Sequence, residues 1–158
     1  MARLRTIGAV AAIAAATAAG SVAAGAPAQA AKKNCKIGYF CAWSNTSGNR
    51  FAGKADCRWW GDGWNWSGKC GEPRRRATAI YNHGKKGAGA SHVRIYDKAG
   101  GKGSSACIKR GSAWDLTFKV KDPEVGGYVY VYKWTSGPKK GRPILHGGID
   151  SHKWVRSC

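Results

Sequence analysis

Carboxylates are scarce in this chain: eight Asp and Glu stand against 27 Lys and Arg in 158 residues. No two of the eight sit in a recognisable glycosidase or nuclease pattern, and neither a G-x-S-x-G elbow nor an H-E-x-x-H helix occurs. A basic nuclease assembled in space from His83 or His92 and a distant acid stays open, because such sites need no sequence motif. There is also no C-x-x-C pair, and His83, His92, His146 and His152 are not at zinc-finger spacing from any cysteine pair, which argues against structural zinc. The residues therefore read as a non-enzyme with no cofactor and no metal. Long apolar runs are equally rare, and after the first thirty residues none could span a membrane.

The N terminus has its own pattern. Arg3 and Arg5 precede an alanine-rich apolar run from Ile7 to Ala19, and Ala28-Gln29-Ala30 offers an A-x-A cleavage site. That order predicts a secretory signal peptide over residues 1–30, with a secreted, extracellular product. All six cysteines, Cys35, Cys41, Cys57, Cys70, Cys107 and Cys158, follow it. An even count in an exported chain of this size reads as a disulfide framework. Six cysteines allow 15 pairings. The preferred set is Cys35–Cys41, Cys57–Cys70 and Cys107–Cys158, because the first two close short local loops and the last two cysteines then remain.

Residues 31–158 are long enough for one modest core helped by covalent staples. They retain 25 cations against eight acids, a formal net charge of +17. Charge of that density speaks of partners and solubility rather than fold. Twenty glycines after Ala30 leave little room for long helices. Short alternating runs stand between them: Val93 and Ile95 against Arg94 and Tyr96, Leu116, Phe118 and Val120 against Thr117, Lys119 and Lys121, and tyrosines against valines from Tyr128 to Tyr132. Period-two segments bounded by Gly and Pro predict half-buried antiparallel strands. One helical turn is predicted at Ser112-Ala113-Trp114-Asp115, where Ser112 would cap. Ala99 to Ser104 lacks P-loop spacing and reads as a turn between strands. The fold class is all-β, a small sandwich or barrel forming a monomer.

The stretch CRWWGDGWNWSGKC, Cys57 to Cys70, puts four indoles inside one expected disulfide loop. Not all of Trp59, Trp60, Trp64 and Trp66 can enter one small core. One reading lets Trp59 or Trp60 plug the sandwich while Trp64 and Trp66 cover the disulfide. A second makes the loop a rigid apolar binding face for a partner surface. A third stacks the indoles on sugar rings or bases, with Arg58 and Lys69 reaching anionic groups.

Val93-Arg94-Ile95-Tyr96-Asp97-Lys98-Ala99-Gly100-Gly101-Lys102-Gly103 resembles the Greek-key signature of βγ-crystallin-like domains, with Tyr96 and Gly103 at matching positions and Gly101 where an aromatic is usual. Cys35-Lys36-Ile37-Gly38-Tyr39-Phe40-Cys41-Ala42-Trp43 is similar to the C-x-x-G-x-x-C opening of small exported actinobacterial peptidase inhibitors that share that fold. Ala77 to Asn82, Cys107 to Gly111 and Asp115-Leu116 resemble the same βγ-crystallin-like metallopeptidase inhibitor family. The resemblance covers residues 31–116, with a weaker echo at Ile149 to Trp154, and residues 117–158 form an extension beyond it. It implies a disulfide-stapled Greek-key sandwich that inhibits an extracellular peptidase. Where some crystallin-like domains bind calcium, this chain has Arg74, Arg75, Arg76, Ala77, Thr78 and Ala79, and three guanidinium groups disfavour a hard cation.

Two functions stand at this level. In the first, a braced loop enters a peptidase cleft, since bracing lowers the ordering cost of binding. The candidate inhibitory loop is Cys107, Ile108, Lys109 and Arg110, with Ile108 entering an apolar pocket of a thermolysin-like metallopeptidase, and the competing face is the tryptophan loop. In the second, the chain is a basic module for an anionic polymer, nucleic acid or envelope polysaccharide, whose affinity would fall steeply with salt. Thiol titration of the denatured, unreduced mature protein is expected to find no free cysteine; two or more would contradict the framework.

Overall fold

The computed structural model describes residues 31, 33–46, 48–67 and 76–158. The expected leader at 1–30, and Lys69, Cys70, Arg74 and Arg75, lie outside the described residues. β-strands carry the regular structure: β1 (Tyr39–Trp43), β2 (Cys57–Trp59), β3 (Ala79–His83), β4 (His92–Lys98), β5 (Lys102–Ile108), β6 (Ala113–Asp115), β7 (Lys119–Asp122), β8 (Gly127–Tyr130) and β9 (Ser151–Val155). The strands form a four-stranded sheet in the order β2-β1-β3-β6, a three-stranded sheet β5-β4-β9, and a separate hairpin β7-β8. Every pairing among these strands is antiparallel. The all-β class is thus as the alternation predicts, and the return of β3 beside β1 and of β9 beside β4 is compatible with Greek-key winding.

Side-chain alternation explains the two cores. On β1, Phe40 and Ala42 point into the main core with Ile80, Val93, Ile95, Ala106 and Ile108 from both sheets. Cys41 and Trp43 point the other way, into a second cluster with Cys35, Phe51, Ala79 and Tyr81. The first sheet is therefore covered on both faces, which is why β1 reads Tyr-Phe-Cys-Ala-Trp with no polar face. Trp134, Ile144 and Ile149 from the second half of the chain complete the main core.

Two disulfides match the expected pairing. Cys35–Cys41 closes a loop six residues apart, and Cys107–Cys158 ties the end of β5 to the C terminus across 51 residues. Cys57 is disulfide-bonded as well. Its expected partner, Cys70, is outside the described residues.

The turn between β4 and β5 depends on glycine. Gly103 has φ +81°, and a Cβ there would meet the Asp97 carboxylate. That carboxylate accepts the Ser104 amide at 2.6 Å and pairs with Lys139 at 3.0 Å. The residues Ala99–Gly101 form a single 3-10 turn, in keeping with the turn expected there rather than a phosphate loop.

One sequence expectation is corrected and another is met in part. Ser112 to Asp115 is not a helical turn: Ala113, Trp114 and Asp115 pair with Tyr81, Ile80 and Ala79 as an edge strand. A tertiary partner outweighs the local capping preference. The runs Leu116–Lys121 and Tyr128–Tyr132 do supply antiparallel strands, and Tyr132 packs on the main core. They contribute the short hairpin β7-β8, which belongs to neither larger sheet, and Tyr128 is 72% exposed. Alternation reports strand geometry and does not say which face will find a partner.

Asn82, fully buried on β3, fastens the sheets to each other's loops. Its Nδ2 donates to Ser91 O and Ile108 O, both at 3.0 Å, and its Oδ1 accepts the Gly84 amide at 2.9 Å. Replacing Asn82 with Ala removes those three hydrogen bonds from a buried site and is expected to lower stability by about 3 kcal/mol in urea unfolding. A loss below about 1 kcal/mol would show that this network carries little.

Candidate functional site

The tryptophan loop divides its four indoles evenly between core and surface. β2 alternates, so Cys57 and Trp59 face inward and Arg58 outward. Trp60 follows on the outward phase. No period-two rule separates Trp64 from Trp66, which share parity. The chain bends between them through an Asx turn, in which Asn65 Oδ1 accepts the Ser67 amide at 3.0 Å. Trp59 and Trp66 end 6% and 0% exposed, while Trp60 and Trp64 are 80% and 47% exposed.

His152 on β9 organises the inner half of the loop. Its ring lies 4.8 Å from both Phe40 and Trp59, and the Trp59 and Trp66 rings stack at 4.6 Å. The Trp66 indole N–H donates to His152 Nδ1 at 2.9 Å. An indole can only donate, so Nδ1 is the unprotonated nitrogen. Nε2 then carries the proton and donates to Gly61 O at 3.1 Å. A neutral ring satisfies both partners, and complete burial opposes the charged form, pushing the His152 pKa down to about 3.

Backbone pairing finishes the docking. Gly63 and His152 exchange both backbone hydrogen bonds, at 3.0 and 2.8 Å, so the loop adds one residue of ladder to the free edge of β9. Only glycine fits at position 63, since a Cβ would stand 2.3 Å from the imidazole. Trp66 N donates to Asp150 O at 3.0 Å, and Gly100 N donates to Trp64 O at 2.7 Å. Asp62 Oδ1 accepts the Trp154 amide at 2.7 Å, and Trp154 Nε1 donates to Gly61 O at 3.1 Å. The loop is thus fixed at Gly61, Asp62, Gly63, Trp64 and Trp66, with Trp60 projecting from it.

Trp60 borders a cleft of about 330 Å³, shared with Gly38, Asp62, Lys85, Ala88 and Trp154. Trp64 lies elsewhere, against Gly101 and with Lys153 Nζ 5.8 Å from its ring centre. The proposed four-indole face therefore reduces to two separated indoles, because Trp59 and Trp66 are committed to the core. The Cys107 loop is also altered. Ile108 is the last residue of β5 and fully buried against Val93, so it cannot enter a partner's pocket. Cys107 is bridged to Cys158. Lys109 and Arg110 are exposed in the turn that follows. His152 carried no sequence signal beyond its place in the Ile149–Trp154 echo, and its role appears only when β9 is beside the loop.

Among the described residues no helix is long and apolar enough to cross a membrane. Residues 28–108 match the model of a protein family described as peptidase inhibitor family I36, which covers just over half of the chain. No curated protein and no solved structure matches.

The buried imidazole makes stability depend on pH. His152 is about 3 folded and 6.5 in its unperturbed form, so the unfolded chain binds the extra proton. Its contribution is complete above about pH 6.5 and is lost progressively as pH falls toward about 3. Near pH 5 the loss is expected to reach about 2 kcal/mol. His152→Gln is expected to be less stable at pH 7 and to show a flatter stability profile between pH 7 and 5. An unchanged slope would place the acid sensitivity at other groups.

Proposed function

Since the chain belongs to peptidase inhibitor family I36, we propose that it is a secreted inhibitor whose braced tryptophan loop enters the cleft of an extracellular metallopeptidase, with Trp60 as the inserted side chain. The observation that carries this reading is an indole 80% exposed on a loop whose neighbours are all hydrogen-bonded to the body of the protein. A solvated indole on a fixed backbone loses little entropy on binding and buries a large apolar area. Lys85 beside it, and the net positive charge, suit a cleft with an acidic rim. Inhibition by occupancy also explains why the loop needs rigidity: a peptide segment that cannot relax after cleavage is released slowly and resealed readily.

The alternative inhibitory segment, reduced to Lys109 and Arg110, has charge but no exposed apolar side chain to insert. Disulfide bonding in a small inhibitor accords with export, and the expected leader would direct it outward. The reading is tested by titrating the refolded mature protein against a panel of metallo-, serine and cysteine peptidases. For the enzyme inhibited, Trp60→Ala is expected to weaken inhibition by about 30-fold or more, the scale of an interface hot spot. The Lys109→Ala, Arg110→Ala double variant is expected to change it by less than about five-fold. Reversal of that ranking would move the site to the turn after Cys107.

A further inference from the structure

The outer face of the β5-β4-β9 sheet carries a charge arrangement that antiparallel pairing normally avoids. Arg94 on β4 lies directly opposite Lys153 on β9; past a register shift between Tyr96 and Lys98, at the end of the hairpin, Lys98 lies opposite Lys102 on β5. Like charges in register destabilise a sheet. Asp97, on the same strand, does not relieve them, since its carboxylate is committed to the Ser104 amide and Lys139.

Aromatic rings stand among these cations. Tyr96 is two residues from Arg94 on the same strand, opposite Ser151 and Ser105. A Cβ at Gly101 would lie 2.9 Å from the Trp64 ring and 3.8 Å from Tyr96, so both rings border this one glycine. Trp64 remains 47% exposed, with Lys153 Nζ 5.8 Å from its ring centre. Its backbone is held by the Gly100 amide at 2.7 Å, which fixes the indole as an open platform beside the cations.

We propose that this face, Arg94, Tyr96, Lys153 and Trp64, together with Lys98 and Lys102 at the adjoining end of the hairpin, is a binding site for single-stranded nucleic acid, separate from the Trp60 cleft. Bases would stack on Trp64 and Tyr96 while phosphates neutralise the opposed cation pairs. Stacking platforms interleaved with cations are the physical requirement for sequence-tolerant single-strand binding. The unfavourable cation register becomes favourable once a polyanion lies over it. A glycan polyanion would satisfy the cations, but the flat Trp64 and Tyr96 rings beside them favour unpaired bases. The inference is independent of peptidase inhibition, because it uses neither Trp60 nor its cleft.

The probe is an oligothymidylate of about a dozen nucleotides, followed by tryptophan fluorescence and by competition. Four cations at the site set an expected slope of log affinity against log salt of about −2.8. Trp64→Ala is expected to weaken binding by about ten-fold, and Lys153→Glu by a similar factor while raising the Tm of the free protein. Trp60→Ala should leave nucleic-acid binding unchanged. An abasic phosphodiester oligomer of equal length should bind at least about ten-fold more weakly. Equal affinity for the abasic oligomer would overturn the stacking assignment. Tighter binding of a sulfated glycan fragment of equal charge would assign the face to glycans instead. Absence of oligonucleotide binding at low salt, or binding abolished by Trp60→Ala, would also overturn the proposal.

Discussion

One neutral imidazole sits between the two buried indoles of the tryptophan loop and the loop's own backbone. His152 accepts from Trp66 with one nitrogen and donates to Gly61 with the other, and it can do both only while uncharged. Its immediate neighbours are chosen around that ring. Gly63 has no side chain because the imidazole occupies the space, Trp59 and Phe40 enclose its faces, and the adjacent backbone of β9 forms a two-bond bridge with the loop. A charged His152 would lose its acceptor and put an unpaired proton against an indole N–H, so the low pKa and the closed loop are one physical fact seen twice.

From this constraint follows the division of the tryptophan loop. Two indoles provide the burial that secures it, and backbone groups at Gly61, Gly63, Trp64 and Trp66 bond to β9, Asp150 and Gly100. What remains outside is Trp60 at one end and Trp64 at the other, facing different parts of the surface. The family-matched segment ends at residue 108, yet the histidine that holds its most aromatic loop lies in β9. The extension beyond the matched segment is therefore part of what shapes the candidate site, and Trp134, Ile144 and Ile149 make it part of the core.

Much of the frame was legible from residues alone. Period-two alternation around Val93 and Ile95, glycine punctuation and the spacing of Cys35 and Cys41 correspond to β4, its turn and a local disulfide. The hairpin β7-β8 shows where such reading stops: the same alternation gives strands there, but not their separation from the two larger sheets. Trp59 and Trp60 stood as alternatives until the phase of β2 separated them, and Trp64 and Trp66 could not be told apart because an Asx turn at Asn65 breaks the phase between them. Ile108 looked like a loop residue beside two cations, yet register with Val93 turns it inward. His152 was invisible for a more basic reason: its partners are about ninety residues away in sequence, and only the pairing of Gly63 with β9 brings them together.

The state of that imidazole tests the account most directly. Nitrogen-15 NMR of the folded mature protein should show His152 as the neutral tautomer with Nε2 protonated and Nδ1 bare. It should not titrate between pH 8 and about 4, given its depressed pKa. The Trp66 indole proton should exchange with solvent only as slowly as the β4 and β5 amides, through global unfolding. A His152 that titrates near its ordinary value of about 6.5, or a Trp66 indole proton that exchanges rapidly while those amides stay protected, would contradict it.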